Sequence, residues 1–548
     1  MSSRSIFVIY ACLGAVYLLY LPHALPVLDD WTYLQAFSQA HARGLAGEID
    51  LLRRLADNSI ISQFRVFWVG FLPVLGVSLA AGVHGWPYYL LALLAHGITA
   101  VLLAGIVSLL AGDDQAGFIA GAIYMVFPAA NGALFWPVAT SFYYVQALAC
   151  SAWFYYTWRK LAVAGDFRYG WKDFAVLALT VFTGEQILPL LVGLLPVTGW
   201  IFGRPKNDKR FFRYCAIHTA VLFGVLGNYV LAINRMPVFG GFQHRYHNVN
   251  SPSLWAIPLR LLAALGLRPS LAEWRPLWRP EIPLLAFLLA AGAAFALGLR
   301  RLEPSPSARS PWRLLVWSAA GASLTFLPVL SLPGIEWRYL YVPAAFLGAA
   351  AAALTGWAPS QARGILAFLA IAYGISLTYF EMRQCWIPES REAQAILSTV
   401  ENAAPIRPGE IFVFAHAPHA MGTAPSFIAG ASWSLNSLLL RYAPQVQGAR
   451  ELLVNERGDL ALYRRDSIVP FPRDAISRLR VYVRDASGYY VRKSLLALPA
   501  AERRYQLLPL RPGVPCPAQP LTIEELRRLA LYGDIYFAHP FSGPLPHA

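Results

Sequence analysis

Long apolar segments recur along the first 380 residues of this chain, and they limit the folds that it can adopt. The chain has 548 residues, of which 57% are hydrophobic and only 14% are charged. A soluble protein would carry about 25% charged residues. An apolar stretch of roughly 18 residues or more is long enough to cross a bilayer as a helix. The pattern therefore predicts a polytopic helical membrane protein.

Positive charge is the second broad feature, because the chain has a formal net charge of +15. Such a charge can indicate a protein that binds nucleic acid. Here much of the excess falls in short loops between apolar segments, as the positive-inside rule expects of cytoplasmic loops, so no nucleic-acid partner is predicted. Three basic clusters are predicted to be cytoplasmic: Arg159, Lys160, Arg168 and Lys172; Arg204, Lys206, Lys209, Arg210 and Arg213; and Arg300, Arg301, Arg309 and Arg313.

The basic clusters determine the predicted topology. The stretch 173–203, between the first two clusters, is too long for one crossing and long enough for two short ones at about 1.5 Å per residue. It is predicted to be a hairpin whose outer apex is 183–186. With a cytoplasmic N-terminus, the loop at Arg159 stays inside only if one earlier apolar segment does not cross. The segment 66–83, which Pro73 interrupts, is predicted to be an interfacial helix along the outer leaflet.

The predicted fold class is an all-α polytopic membrane domain followed by a small α/β extracytoplasmic domain. The membrane domain, 1–380, has about eleven transmembrane helices, with interfacial helices in the first outer loop, 22–85. The second domain, 381–548, has frequent charges, short β-like stretches such as 411–414 and 479–483, and helical stretches at 389–401 and 522–531. The eleven crossings are predicted at 6–21, 86–110, 116–130, 138–158, 173–184, 186–203, 214–233, 282–299, 313–331, 339–357 and 364–380.

Two adjacent carboxylates, Asp29 and Asp30, follow the first apolar segment on the predicted outer side. Asp is also a common turn former, so a solvated loop start would explain them. However, the pair lies between apolar Val27-Leu28 and Trp31, at the membrane boundary. Carboxylates in contact repel each other, which raises one pKa or attracts a cation. We therefore predict a general base or a metal ligand here.

Two further outer residues are candidates for a site. Glu185 stands at the apex of the short hairpin, where a carboxylate either caps the second helix or belongs to a polar site at membrane depth. Arg338 follows Glu336 in a very short outer loop, so it either pairs with that carboxylate or binds a lipid phosphate. Phosphate binding is the weakly favoured prediction, with Tyr339 at headgroup level.

The outer segment His244-Arg245-Tyr246-His247 has residue types that bind metals or phosphate. No third ligand with zinc-like spacing follows it, so a solvated basic loop is the favoured interpretation. His96 and His218 lie inside apolar segments, and we expect them to be hydrogen-bonded core residues. The sequence has no Walker A motif, dinucleotide-binding glycine pattern or His-Glu-x-x-His motif.

The acidic pair in the first outer loop, the interfacial helix, the short outer hairpin and the Arg338-Tyr339 loop occur together in one superfamily. With its C-terminal outer domain, the chain resembles integral membrane glycosyltransferases of the GT-C type. These include protein O-mannosyltransferases, aminoarabinose transferases of lipid A and oligosaccharyltransferase catalytic subunits. The resemblance covers most of the chain as architecture. The lysine-proline element of these enzymes is matched only by Phe64-Arg65-Val66, which leaves the donor sugar open.

The resemblance implies inverting transfer of a sugar from a polyprenyl-phosphate donor to an acceptor hydroxyl on a glycan, lipid or protein. Asp29 or Asp30 would deprotonate the acceptor. Arg338, with Tyr339 and with Arg65 or Arg245, would bind the donor phosphate. Some relatives use a divalent metal such as Mg²⁺ or Mn²⁺, which Glu185, His244 and His247 would help to hold. Residues 1–380 would then be the catalytic domain of a bacterial-type inner-membrane enzyme acting on cell-envelope polysaccharide.

Two other classes of function compete with this prediction. A transporter or flippase for a lipid-linked sugar also carries charges at membrane depth, but usually within paired repeats, and only one short hairpin is evident here. A non-catalytic envelope assembly protein would tolerate Asn in place of Asp29 and Asp30.

Overall fold

The chain divides into two compact units in a computed structural model. The first unit comprises 1–24 and 37–383, and the second comprises 25–36 and 384–548. The structure describes residues 3–26, 30–56, 68–82, 84–203, 209–234, 281–302, 310–328, 337–415, 420–421, 424–425, 434–449, 451–454, 460–463, 468–471, 478–484, 489–493, 505–509 and 536–540.

Helices make up the described part of the first unit. The α-helices are α1 (Ser3–Leu13), α2 (Asp30–Ala42, whose first turns belong to the second unit), α3 (Gly44–Ala56), α4 (Trp68–Ala81), α5 (Gly85–Ala111), α6 (Asp114–Met125), α7 (Asn131–Leu134), α8 (Ser141–Trp158), α9 (Trp171–Val181), α10 (Leu188–Phe202), α11 (Lys209–Asn234), α12 (Ile282–Arg300), α13 (Pro311–Phe326), α14 (Tyr341–Thr355) and α15 (Ser360–Glu381). Four 3-10 helices, Gly14–His23, Pro128–Ala130, Glu185–Ile187 and Trp337–Leu340, and two π-helices, Arg159–Val163 and Met382–Trp386, connect or extend them.

Several of these helices have the length and composition of membrane spans. Among the described residues, four are long and apolar enough to cross a bilayer, namely Ser5–His23, Gly85–Ala111, Ile282–Arg300 and Ala362–Asn402. The bent pair Asp114–Met125 and Pro128–Leu134, with a 48° angle, would add a fifth. A helix lies in each predicted crossing, so the mostly helical fold is confirmed and fits a membrane protein. The count of eleven crossings stays a prediction.

The centre of the first unit is packed through small residues. A Cβ added to Gly121 of α6 would lie 2.6 Å from the Ala100 carbonyl oxygen of α5, and one added to Gly117 would clash with the Ala104 carbonyl oxygen. Spacing of small residues by four positions lets two helix backbones approach closely in this way. Helices α5 and α6 are therefore in close backbone contact at the centre of the unit.

The segment predicted to be an interfacial helix is the 14-residue helix α4, which contains Pro73. Its first turn is attached to the bundle, because Val69 N donates to the Phe182 carbonyl oxygen at 3.0 Å. Gly70 lies against Phe142 of α8, where a Cβ would come within 2.7 Å. The helix is therefore confirmed, and its place along a membrane surface stays a prediction.

A buried carboxylate, Asp173, fixes the start of α9. It accepts from Lys160 Nζ and the Gly170 backbone N–H, both at 2.7 Å, and from the Tyr214 hydroxyl at 2.8 Å. Its side chain is 2% exposed. A buried charge is stable only when it is paired and hydrogen-bonded, as Asp173 is here. The network ties α8, α9 and α11 together at one end of the helices.

Replacing Asp173 by Ala should lower the free energy of unfolding by about 3–5 kcal/mol, because it leaves the Lys160 charge without its closest carboxylate. Thermal unfolding of the purified protein in detergent would measure this loss. Asp166 is the matched control, since it lies 3.9 Å from the same amine but is 48% exposed. Asp166→Ala should cost less than about 1 kcal/mol. Equal losses for the two variants would refute a structural role for the buried network.

The second unit contains a four-stranded sheet with the strand order β4-β1-β8-β9. β1 runs parallel to β4 and β8, and β9 is antiparallel to β8. Three consecutive residues of β1, 412–414, are fully buried, as expected of a central strand. The elements are α16 (Ile387–Asn402), β1 (Ile411–Ala415), β2 (Ala420–Met421), β3 (Ala424–Pro425), α17 (Ser434–Leu439), β4 (Gln447–Ala449), β5 (Glu451–Val454), β6 (Leu460–Tyr463), β7 (Ile468–Phe471), β8 (Leu479–Arg484), β9 (Tyr490–Lys493), β10 (Tyr505–Pro509) and β11 (Tyr536–Pro540).

The strands β1 and β8 and the helix α16 lie where short apolar stretches and helical periodicity predicted them. The helix predicted at 522–531 falls outside the described residues. Helix α15 continues through a π-helix into α16, so the two units are joined by continuous helical chain. The assignment of this unit as an extracytoplasmic α/β domain stays a prediction.

Candidate functional site

The acidic pair is described at one of its two positions. Asp30 begins α2, and its carboxylate is fully buried within the second unit. The next residue, Trp31, donates from Nε1 to the Pro26 carbonyl oxygen at 3.0 Å, and the Arg441 guanidinium lies 6.0 Å from the centre of its ring. A carboxylate at the first turn of a helix is favoured by the positive end of the helix dipole. Its burial excludes the alternative of a solvated loop start for Asp30, and the role of a general base or metal ligand stays a prediction.

In the first unit, Arg338 and Tyr339 lie in the 3-10 helix before α14. The Arg338 guanidinium is 4.7 Å from the centre of the Trp136 ring and 5.4 Å from that of Tyr339. Both distances are within the range of cation–π attraction, which orients the guanidinium. The sequence prediction paired Arg338 with Glu336 or with phosphate, and it did not include the stacking on Trp136.

The tip of the predicted hairpin contacts the 3-10 helix that carries Arg338 and Tyr339. Gln186, in the 3-10 helix Glu185–Ile187, donates from Nε2 to the Tyr339 carbonyl oxygen at 2.7 Å. The ring of Tyr143, in the first turn of α8, makes an edge contact with the Tyr339 ring at 5.8 Å. Glu185 precedes Gln186, and its side chain lies outside the described atoms. The structure therefore brings the backbone of the hairpin tip to the Arg338 loop.

Buried polar atoms lie on the elements that meet here. Both amide atoms of Gln146, the Ser141 hydroxyl, Gln186 Oε1 and Trp136 Nε1 have no hydrogen-bond partner in the described part of the chain. A Cβ added to Gly184 would meet the Gln146 amide, so this amide lies directly against the backbone of the hairpin tip. Buried polar groups in native proteins are nearly always satisfied, by protein, by ordered water or by ligand. We call this set the Arg338 cluster: Trp136, Ser141, Gln146, Gln186, Arg338 and Tyr339.

A second buried hydrogen-bond network holds the start of α7, the short helix that precedes Trp136. Asn131, fully buried at the start of α7, donates from Nδ2 to Glu381 Oε2 at 2.7 Å and to Thr378 Oγ1 at 3.3 Å. The Tyr17 hydroxyl donates to Asn131 Oδ1 at 3.2 Å. These bonds join the turn that carries Trp136 to the end of α15. They thereby help to fix the position of the Trp136 ring, against which Arg338 packs.

Sequence reasoning missed Gln146 as a member of the Arg338 cluster and Glu381 as a member of the Asn131 network. A signal existed for each. Gln146 is an amide in the middle of the predicted crossing 138–158, and polar groups at such depth usually mark functional positions. Glu381 immediately follows the last predicted crossing, where the domain boundary was drawn.

The remaining predicted site residues have different outcomes. Asp29, Arg65, His244, Arg245 and His247 lie outside the described residues, so their predicted roles stay predictions. His96 is a hydrogen-bonded core residue as predicted: its ring nitrogens contact the Tyr341 hydroxyl at 2.7 Å and the Met125 carbonyl oxygen at 3.1 Å. His218 is buried and stacked on Trp153, but neither of its ring nitrogens has a hydrogen-bond partner among the described residues, so the same prediction is not met there.

The predicted metal site is not assembled from described side chains. Across the described ranges, no three His, Cys, Asp or Glu residues come together as metal ligands. The Mg²⁺ or Mn²⁺ implied by the resemblance therefore stays a prediction, and no chemical step below is assigned to it.

The Arg338 cluster has the chemistry of an anion site. A guanidinium is a fixed cation with several N–H donors, and it binds phosphate oxygens in a bidentate manner. The Ser141 hydroxyl, the Gln146 Nε2 amide and the Trp136 indole N–H add neutral donors among apolar helices, where electrostatic attraction is less screened than in water. The cluster is therefore suited to a phosphate group carried by an apolar molecule.

Replacing Gln146 by Met should separate ligand binding from folding. Methionine has a similar unbranched shape, and it removes two buried polar atoms whose desolvation costs about 1–3 kcal/mol when they are unsatisfied. We expect a higher melting temperature together with weaker function. The exposed Gln39 of α2 is the control, since Gln39→Met should change neither. A destabilised Gln146→Met protein with unaltered function would contradict a ligand role for this amide.

Comparisons with known proteins leave the family of this chain open. No protein-family model matches the sequence, and no curated protein matches it either.

Proposed function

We propose that this protein is a membrane glycosyltransferase that moves a sugar from a polyprenyl-phosphate donor to an acceptor hydroxyl, with inversion at the anomeric carbon. One observation carries the proposal: the Arg338 guanidinium packs against the rings of Trp136 and Tyr339, on elements whose buried polar atoms lack hydrogen-bond partners among the described residues. A lipid-borne phosphate offers oxygen acceptors of the kind that a guanidinium and neutral N–H and O–H donors bind. The apolar helices around it suit a polyprenyl tail.

The proposed topology has eleven crossings, a cytoplasmic N-terminus and an extracytoplasmic α/β domain from residue 381 onward. It is supported by the basic loops on one side and by the apolar helices. Nucleotide sugars are confined to the cytoplasm, so a transferase acting on the outer face needs a donor carried by the membrane. A bacterial-type inner membrane and an acceptor in the cell envelope fit this arrangement.

In the proposed reaction, the acceptor hydroxyl oxygen attacks the anomeric carbon on the face opposite the phosphate. The new glycosidic C–O bond forms as the bond between that carbon and the phosphate oxygen breaks. Asp29 or Asp30 takes the hydroxyl proton as general base. Polyprenyl phosphate leaves with the bonding electron pair, and Arg338 stabilises the negative charge that develops on it. Tyr339, Arg65 and Arg245 are proposed as further donors to the phosphate.

Donor turnover tests this proposal. The purified protein in nanodiscs would be incubated with a panel of polyprenyl-phosphate hexoses and pentoses and an envelope extract, and lipid products would be followed by mass spectrometry. Release of free polyprenyl phosphate with transfer of the sugar is the expected result. In proteoliposomes, movement of an intact lipid-linked sugar between leaflets without bond cleavage would favour a flippase instead.

A further inference from the structure

A polar cleft lies within the second unit, between α16 and the antiparallel strands β8 and β9. It encloses about 940 Å³, within the range of ligand-binding pockets. One wall is the polar face of α16, and the other is formed by side chains of the two strands. None of its lining residues belongs to the Arg338 cluster.

The cleft has an excess of positive charge. Its lining includes the arginines Arg391, Arg480, Arg484 and Arg492 but only one carboxylate, that of Glu392. Arg484 Nε donates to Glu392 Oε2 at 2.8 Å. A pocket lined by one sign of charge with low-dielectric walls concentrates ligands of the opposite sign.

Two of the four arginines are fixed by partners within the unit. Arg480 donates to Glu410 Oε1 at 2.7 Å and to the carbonyl oxygen of Pro405 at 2.8 Å, and Arg484 is held by Glu392, which is buried. These contacts fix both side chains on the strand wall, and within each pair the glutamate charge compensates the arginine charge.

The other two arginines account for the excess positive charge of the cleft. Arg391 on the helix wall and Arg492 on the strand wall are both exposed, and neither forms an ion pair with any residue that the structure describes. They approach the cleft from opposite walls. A ligand with at least two anionic groups would therefore contact both.

The rest of the lining favours a saccharide over a peptide. Gln394, Ser398 and Asn402 recur at helical spacing on α16, so amide and hydroxyl groups that donate and accept face the cleft together. The Tyr489 ring, 69% exposed, supplies an aromatic face with a polar tip. The apolar lining of α16 is limited to small residues, which form no deep pocket for a large apolar side chain.

We propose that this cleft binds an acidic oligosaccharide, a glycan with carboxylate or phosphate groups on neighbouring sugars. The identification of this oligosaccharide as the acceptor rests on the proposed transferase function, whereas its binding to the cleft does not. Arg391 and Arg492 bind the anionic groups, and the side-chain amides and hydroxyls of α16 bind the sugar hydroxyls.

Binding to the full-length protein in nanodiscs tests this inference without any donor. Calorimetry would compare tetragalacturonate with neutral maltotetraose and with a tetraglutamate peptide. We expect tetragalacturonate to bind at least tenfold more tightly than either, and the double change Arg391→Gln with Arg492→Gln to weaken it by about tenfold to a hundredfold per charge-assisted contact. Arg478→Gln, at an exposed arginine just before β8 that does not line the cleft, should leave binding unaltered.

Equal binding of maltotetraose, tighter binding of the peptide, or full binding by the double variant would overturn the proposal, as would failure of the wild-type protein to bind tetragalacturonate. Salt should weaken the wild-type interaction more than that of the double variant, because ionic contacts at exposed arginines are screened. Failure of donor turnover with intact saccharide binding would reject the transferase function alone.

Discussion

Replacing both Asp29 and Asp30 by asparagine is expected to reduce sugar transfer by about a hundredfold to ten-thousandfold, the usual contribution of a positioned general base. Asparagine keeps the shape of the side chain and its hydrogen-bonding capacity but cannot take a proton at neutral pH. The loss should appear in the maximal rate of polyprenyl phosphate release. Binding of the donor should change little, because the carboxylates are assigned to the acceptor.

Each single variant identifies which carboxylate is the base. Because Asp30 is fully buried, its variant must also be tested for thermal stability. The control is Asp50→Asn, in the same predicted outer loop, where an exposed carboxylate pairs with Arg43 at 3.0 Å. That change should leave transfer unaltered. Full activity in both single variants and in the double variant would remove the acidic pair from the mechanism.

Replacing Arg338 by Ala is expected to reduce transfer by about a hundredfold to a thousandfold, as when one donor to a developing negative charge is lost. The affinity for the lipid donor should fall as well, because the phosphate is charged before and after transfer. Lysine at this position keeps the charge but loses the planar stacking on Trp136 and bidentate binding, so Arg338→Lys should recover only part of the activity.

Arg313→Ala is the matched control for Arg338, since it removes an exposed arginine of α13 in the same unit. It should leave both donor affinity and transfer rate unaltered. Donor affinity can be measured with a fluorescent polyprenyl phosphate in nanodiscs. An Arg338→Ala protein that binds this probe as tightly as the wild type would exclude the phosphate role.

The helices of the first unit were predictable because a run of apolar side chains is readable in the sequence alone. Helix α4 shows the limit of such patterns. Its apolar composition predicted a helix there, and Pro73 predicted that this helix does not cross the membrane, but its attachment through Val69 and Phe182 depends on residues far apart in the chain. The number of membrane crossings likewise depends on how short helices such as α9 and α10 lie in a bilayer, which length alone does not decide.

The candidate site was predictable only where residue type carried the information. Arg338 could be selected because a guanidinium near the outer boundary suits a phosphate. The hydrogen bond from Gln186 to Tyr339 joins residues 153 positions apart, and no single-sequence pattern specifies such a partner. The inclusion of residues 25–36 in the second unit was not predicted for the same reason, since the domain boundary was drawn only at 380.

The position of the donor phosphate tests the central claim most directly. A structure of the protein in nanodiscs with a bound, non-hydrolysable polyprenyl-phosphate sugar analogue would show it. The Arg338 cluster predicts that phosphate oxygens lie about 3 Å from the Arg338 guanidinium, at the distance of a charge-assisted hydrogen bond. The Gln146 amide and the Ser141 hydroxyl should then acquire partners from the headgroup or its waters. A phosphate bound elsewhere, with the cluster unaltered, would contradict the account.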